Sequence, residues 1–426
     1  MSHSLRILTV LPMYGGSLPI GRYCAQALKE LGHIVEIFDA PAFHGAFAAL
    51  KEQRISTDRL ISLENSFLQI VAQTILAKVE SFQPDLVLAL AQAPLSRQAL
   101  QRLRRDKVPT AMWFVEDFQV FPYWKAFARH YDFFAVIQKT PFLDMLTELG
   151  QENALYLPLA ADPNFHRPLE LSAVDQRRYG ADISFLGAGY PNRLSAFRQF
   201  LSLDFKIWGN DWPAHGALTP LLQRPGERIS AEEAVRIFNA SRINLNLHSS
   251  VKAEPMVSGG DFVNPRTFEL ASCQAFQLVD RRALLGELFT DEEVAVFEDM
   301  EGLHAAMHHY LARPQERLEM SRRARERVLR EHTYRHRMET LLAFIRERGA
   351  FGTAAAETEL HPSALSELSP DLRQDVLQLL QSLELRPSVS FSDLIWAIRQ
   401  RSGVLSELET ALLFLDEWRK QYVAKR

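Results

Sequence analysis

Two successive series of short apolar runs, each run followed by a segment with helical spacing, constrain this chain more than any other feature. Arg6 to Leu11 is a leucine-rich and β-branched run that suits a strand buried on both faces. After the loop Pro12–Gly16, Ile20, Cys24, Ala27, Leu28 and Leu31 recur at helical spacing, and Gly32 supplies a stop. The pattern repeats with strands at Ile34–Phe38, Leu86–Leu90, Thr110–Val115 and Phe133–Ile137, and helices at Ser66–Phe82 and Pro94–Arg105. A second series begins beyond the proline-containing segment Leu157–Pro168, with strands at Ile183–Leu186, Asp204–Trp208, Ile243–Leu247 and Phe276–Val279. Ser230 with Glu233 reads as a capping box ahead of a helix. The rhythm predicts an α/β protein with mostly parallel sheets covered by helices on both faces.

The reading divides the chain into a first domain over 1–165, a second over 166–348 with charged closing helices, a linker over 349–359 and a helical extension over 360–426. In the extension, Leu372, Val376, Leu379, Leu380 and Leu383 share one face, and Ser406 with Glu409 forms another capping box. Such a stripe on a short domain fits partner docking or self-association as well as packing onto the body.

Composition excludes several classes. The 426 residues carry 48 basic and 52 acidic side chains, so the net charge is -4 and a nucleic-acid coat is not expected. Cys24 and Cys273 cannot build a disulfide framework or a cysteine zinc site, and a reducing cytoplasm is the expected compartment. No targeting segment and no uninterrupted apolar run of roughly 18 residues is read, although peripheral membrane association stays open. The spacing of His304, His308 and His309, and of His332 and His336, suits solvated helix faces better than a metal, and no H-E-x-x-H sequence accompanies it. Neither G-x-G-x-x-G nor G-x-x-x-x-G-K-[ST] occurs, which argues against a dinucleotide fingerprint and a Walker-type ATPase.

Three places carry candidate chemistry. In Asn264–Cys273, Asn264 is placed as a helix cap and Pro265 as the first helical residue, so the amide-rich turn is an anion site with Arg266 adding a cation. Glu269 lies one turn on, able to meet a ribose, and Asp261 precedes it by eight positions. The same segment is equally an ordinary capped helix with a salt bridge. Gly15-Gly16 follows the first strand, where glycines allow close backbone approach to a ligand or simply a tight turn. Glu116 and Asp117 end an apolar strand, where carboxylates of a parallel sheet face the ligand crevice and one could serve as a general base. A cap or a buried ion-pair partner is the competing reading for each acid.

An ordered set of motifs resembles the bacterial glycosyltransferases related to spore maturation protein CgeB, within the GT-B superfamily, over about residues 5–345. The set runs from Trp113-Phe114-Val115-Glu116-Asp117 through Tyr156-Leu157-Pro158-Leu159-Ala160-Ala161-Asp162-Pro163 to Ile183–Gly187 with Tyr190–Arg193. It continues with Trp208-Gly209 to Trp212, Asn264–Glu269 through Asp280, and Glu331–Arg337. The resemblance implies a GT-B fold, two Rossmann-like domains facing across a cleft, with the donor on the second and the acceptor on the first. It further implies glycosyl transfer from a nucleotide sugar, UDP favoured, to a protein, glycan or small-molecule acceptor, without a metal or other cofactor. By the resemblance Glu269 would bond the ribose, and Asn264, Arg266 and Thr267 would lie by the diphosphate. Gly187, Asn192 and Arg193 would form the opposing loop, and Asp261 with Glu269 would be the paired acids of many retaining enzymes. Glu116, Asp117 and Arg266 are the expected catalytic groups, with Gly15 and Gly16 also on the donor. Gln274 stands where the family has glycine, which suggests a reshaped path into the next strand. The alternative function is a non-catalytic scaffold of the same fold that binds a sugar nucleotide and partner proteins; an epimerase is a third.

Overall fold

The computed structural model describes residues 4–351, 367–387 and 389–422. It divides into two compact units, Met1–Arg348 and Gly349–Arg426.

The first unit contains two parallel sheets. Strands β1 (Arg6–Val10), β2 (Ile34–Phe38), β3 (Leu86–Leu90), β4 (Thr110–Phe114), β5 (Phe133–Val136) and β6 (Ala154–Tyr156) form one sheet in the order β2-β1-β3-β4-β5-β6. β3, β4 and β5 are buried along their whole length, as their unbroken apolar sequences require. Strands β7 (Ile183–Leu186), β8 (Phe205–Trp208), β9 (Ile243–Asn246), β10 (Gln277–Asp280) and β11 (Ala295–Phe297) form the second, ordered β11-β10-β9-β7-β8. Its core stacks Phe185, Phe197, Phe200, Phe205 and Trp212 on one face and Ala234, Val235, Phe238 and Leu270 on the other. This is the doubly wound, two-domain α/β architecture that the alternating pattern predicts. Winding reverses between β1 and β3 in the first sheet and between β7 and β9 in the second. A parallel sheet opens a crevice at such a reversal, beyond the carboxyl ends of its strands. The register pairs Val10 with Ala89 and Leu90 with Trp113, so Leu11–Gly16, Ala91–Pro94 and Val115–Phe118 emerge along one edge.

A crossover joins the two lobes. The helix Tyr334–Glu347 packs on the first-lobe helix Ser17–Glu30. Arg337, buried, donates from Nε to the Pro158 carbonyl at 2.6 Å and from Nη2 to the Leu159 carbonyl at 3.0 Å. The indole of Trp113 donates to the Leu157 carbonyl at 3.1 Å, and Ala161 bridges to Thr333. Three motifs far apart in sequence, around Trp113, Leu157 and Arg337, thus meet at the connection between lobes.

The helix Thr57–Phe82 starts earlier than its sequence pattern indicates, because its first half is polar enough to hide the period. Among the described residues it is the one helix with the length and mean hydropathy, 1.3, of a membrane span. Val71, Ala72, Ile75, Leu76, Val79 and Phe82 are its buried positions, whereas Ile61, Leu63 and Ile70 are exposed.

The second unit holds the helices Pro370–Ser382, Phe391–Gln400 and Glu407–Tyr422. Val376, Leu379, Leu380, Leu394 and Ile398 form its core, with Leu383 against it and Leu372 exposed. The Ser406–Glu409 pair is a reciprocal cap: each residue's side chain accepts from the other's backbone N–H. Most of the sequence-predicted linker, residues 352–359, lies outside the described residues.

Candidate active site

A cleft of about 660 Å³ lies between the carboxyl ends of the two sheets. Its first-lobe wall is built from the loop after β1, with Tyr14, Gly15 and Gly16, and from the loop after β4, with Glu116 and Asp117. The second-lobe wall comes from Tyr190, the segment Ser249–Lys252, Phe262, Pro265 and Arg282. Carboxylates therefore face cations across the gap.

Gly15 adopts φ +101°, a conformation that side-chain-bearing residues rarely take, and its carbonyl accepts from Arg228 of the other lobe at 3.1 Å. Glu116 accepts from the Tyr123 hydroxyl at 2.8 Å and from the Gln92 side-chain amide. Burial raises its pKa, and these two bonds oppose the rise. Asp117 accepts from the backbone N–H of Gln119 at 2.8 Å, so it caps its own turn while bordering the cleft.

The start of the helix Pro265–Ser272 is more occupied than the sequence suggests. Asn264 caps it as expected, its Oδ1 accepting from the Thr267 N–H at 3.1 Å. The Asn264 N–H donates to His248 Nε2 at 2.9 Å, and His248 Nδ1 in turn meets Asp280 Oδ1 at 2.6 Å. Burial pushes the His248 pKa down, and acceptance of the Asn264 N–H at Nε2 fits a neutral ring with its proton at Nδ1. Two amides of the expected anion cradle are thereby consumed. Pro265 borders the cleft, while Arg266 and Glu269 pair with each other at 2.7 Å. The Arg266 guanidinium lies 4.5 Å over the Phe238 ring, and Glu269 sits 3.8 Å from His166. This ion pair looks toward Tyr23 of the first lobe, whose phenol pKa is raised by burial and then by Glu269.

Four other expected donor residues are turned to structural work. Thr267 is fully buried and bonded to Asn264 and Asn246. Asn192 is fully buried and clamps the cleft-wall segment, donating to the carbonyls of His248 and Met256 and accepting from the Ser250 N–H. Arg193 donates to the carbonyls of Leu247 and Ala188, so its charge is spent behind the wall. Burial lowers its pKa to about 10. A Cβ on Gly187 would press on the Phe185 ring and the Arg193 guanidinium, and one on Gly209 would strike the Gly187 backbone.

Asp261 and Glu269 bond to different partners. Asp261 reaches across to the first lobe, accepting from the Gln138 side chain at 2.9 Å and the Lys139 N–H at 3.0 Å. It precedes the helix on a loop, so eight residues of spacing do not place it on the face that carries Glu269. Gln274 takes φ +54°, the left-handed region that glycine favours, on the path into β10.

Sequence reasoning missed Arg282, Lys252, His248 and Asp280. Arg282 lines the cleft while donating to the Phe262 carbonyl at 3.1 Å and to Ser258 Oγ at 2.9 Å. Burial lowers its pKa, against the opposing pull of Asp280, Asp117 and Asp261. Lys252 is exposed on the same wall. Their signal was only a basic residue after a strand. Among the described residues no group of three His, Cys, Asp or Glu is placed to hold a metal ion. His336 completes a capping box with Thr333, and His332 is buried, so these two are not solvated pairs.

Comparison with known proteins bears on the same region. Residues 172–343 match the family described as glycosyl transferase-like. Spore protein CgeB of Bacillus subtilis (strain 168) is 26% identical over 219 residues, 48% of this chain and 66% of its own length. HepE of Anabaena, solved in complex with UDP and glucose, shares the fold at a TM-score of 0.56 and 10% identity, over 80% of this chain and 100% of its own. Sucrose-phosphate synthase of Thermosynechococcus elongatus does so at 0.53 and 12%, over 82% and 100%.

Proposed function

We propose that this chain, a CgeB-like glycosyltransferase of the GT-B fold, moves a sugar from a UDP-sugar on its second lobe to an acceptor hydroxyl presented by its first. The observation that carries the reading is the cleft itself: Glu116 and Asp117 on one wall, with Arg282, Lys252 and the Pro265 turn on the other. As the sugar–phosphate bond breaks, negative charge grows on the departing diphosphate. A cation held in place, as Arg282 is by its bonds to Phe262 and Ser258, stabilises that charge more in the transition state than in the ground state, with no metal required. Glu269, held by Arg266, is the proposed ribose ligand. Glu116 is the proposed general base, since its bonds to Tyr123 and Gln92 fix its orientation at the cleft. Closure of the lobes would limit donor hydrolysis. A cytoplasmic site suits a nucleotide-sugar donor. The helical extension 360–426, with Phe414 and Leu415 exposed, is proposed as a docking or self-association element.

The test is a thermal-shift series with nucleoside diphosphates, followed by donor turnover with a panel of nucleotide sugars. UDP is expected to raise the melting temperature and a UDP-sugar to be consumed with release of UDP. A shift with NAD and none with any nucleoside diphosphate would reject the reading.

A further inference from the structure

We infer that the acceptor hydroxyl is carried on a compact apolar group, an aromatic ring or a branched alkyl, that seats in a first-lobe pocket opening beside Glu116. The inference rests on the transfer reading above. The pocket has a volume of about 270 Å³, and Met13, Phe47, Leu68, Met112, Phe127 and Phe134 contribute to its walls. Tyr14 and Gln92 border both this pocket and the interlobe cleft, so the two spaces adjoin at those residues. Glu116 is bonded at that junction to Gln92 and Tyr123, and both of these line the pocket.

The Tyr123 hydroxyl, the Gln92 N–H and the Trp124 indole N–H of the wall are already engaged. The Tyr123 hydroxyl donates to Glu116 and accepts from the Gln92 N–H at 2.9 Å, and the Trp124 indole donates to the Phe118 carbonyl at 3.0 Å. What remains for a ligand is mainly ring faces and side-chain methyls. A sugar ring there would lose water from several hydroxyls without replacement bonds, whereas an apolar ring would not. Size agrees, because a dry apolar cavity of about 150 Å³ is enough for benzene. In the transfer step the acceptor oxygen forms a bond to the anomeric carbon. The bond from that carbon to the phosphate oxygen breaks, with its electron pair leaving on UDP. The acceptor proton passes to the Glu116 carboxylate.

The experiment uses the full chain with benzyl alcohol, glycerol and glucose as probes, read by saturation-transfer NMR and titration, and by mass spectrometry of products in the presence of a UDP-sugar. Benzyl alcohol is expected to bind saturably, at least tenfold tighter than glycerol or glucose, and to yield a benzyl glycoside. Ala93→Phe fills the pocket and should weaken benzyl alcohol about tenfold while retaining the UDP thermal shift, which reports that the lobes are folded. Leu68→Ala, on a helix flank, enlarges the pocket and should shift preference toward 2-naphthylmethanol by about fivefold. Equal binding of glycerol and benzyl alcohol, or unchanged ring affinity in both variants, overturns the inference. Absence of any UDP effect on the wild-type chain would instead remove the transfer reading, and the acceptor role with it.

Discussion

Glu116 illustrates how a side chain can be fixed by bonds that also tune it. Burial raises its pKa from the ordinary carboxylate value, against the pull of its bonds to Tyr123 and Gln92, and so increases its basicity. Only the ionised form accepts a proton, so kcat/KM should fall as pH drops through that raised value. Glu116→Gln keeps the shape and removes the basicity; turnover should fall by about 10²- to 10⁴-fold with the UDP melting shift intact. Wild-type turnover in this variant would reassign the base to Asp117. A second residue-scale effect concerns Gln274, held at φ +54° after the helix Pro265–Ser272. A non-glycine residue in the left-handed region costs about 1–2 kcal/mol, more than the unfolded-state entropy that glycine adds. Gln274→Gly is therefore expected to stabilise the chain by roughly 0.5–1 kcal/mol in urea denaturation.

Among elements, the helix Pro265–Ser272 shows what local sequence carries and what it cannot. Its cap and first residue were readable because Asn and Pro satisfy purely local demands. The strands were readable for the same kind of reason: full burial forces unbroken apolar runs. The direction of each cation was not readable, since charge is written in sequence but orientation depends on which carbonyls lie nearby. Arg193 and Arg282 both follow strand ends; one is spent behind the wall and the other borders the cleft. The relay from Asp280 through His248 to Asn264 joins the end of β10 to two separate loops, so no spacing rule reveals it. That relay makes the cap a joint of several elements. Asn264→Ala would leave the Thr267 N–H only its longer bond to the Asn264 carbonyl and strip both the Thr267 hydroxyl and Asn246 of a partner, so its cost belongs at the upper end for a cap, about 2 kcal/mol. The denaturation midpoint should drop with an unchanged m-value, and the donor KM should rise as the turn loosens.

At the scale of the whole molecule, the two lobes are joined through charges placed where water is scarce. His332 is buried at the crossover, its Nε2 meeting the Leu288 carbonyl at 2.9 Å and its Nδ1 meeting Arg337 Nη2 at 2.9 Å. The ring must be neutral to accept from Arg337. Burial and then the neighbouring guanidinium lower its pKa to about 4, against about 6.5 in an unfolded chain. A histidine depressed in the folded state contributes stability that is complete above the unfolded value. That stability is lost as pH falls through the window from about 6.5 to about 4, because the unfolded chain then binds the proton first. The size of the loss is about 3 kcal/mol at the acid end. His166 and His248 are lowered too, chiefly by burial, and add to the same limb. His332→Gln offers a neutral donor and acceptor that cannot titrate. Melting temperature measured from pH 7.5 to 4.5 should fall less steeply in this variant than in the wild type. Parallel curves would show that the crossover histidine is not what couples the lobes to acid.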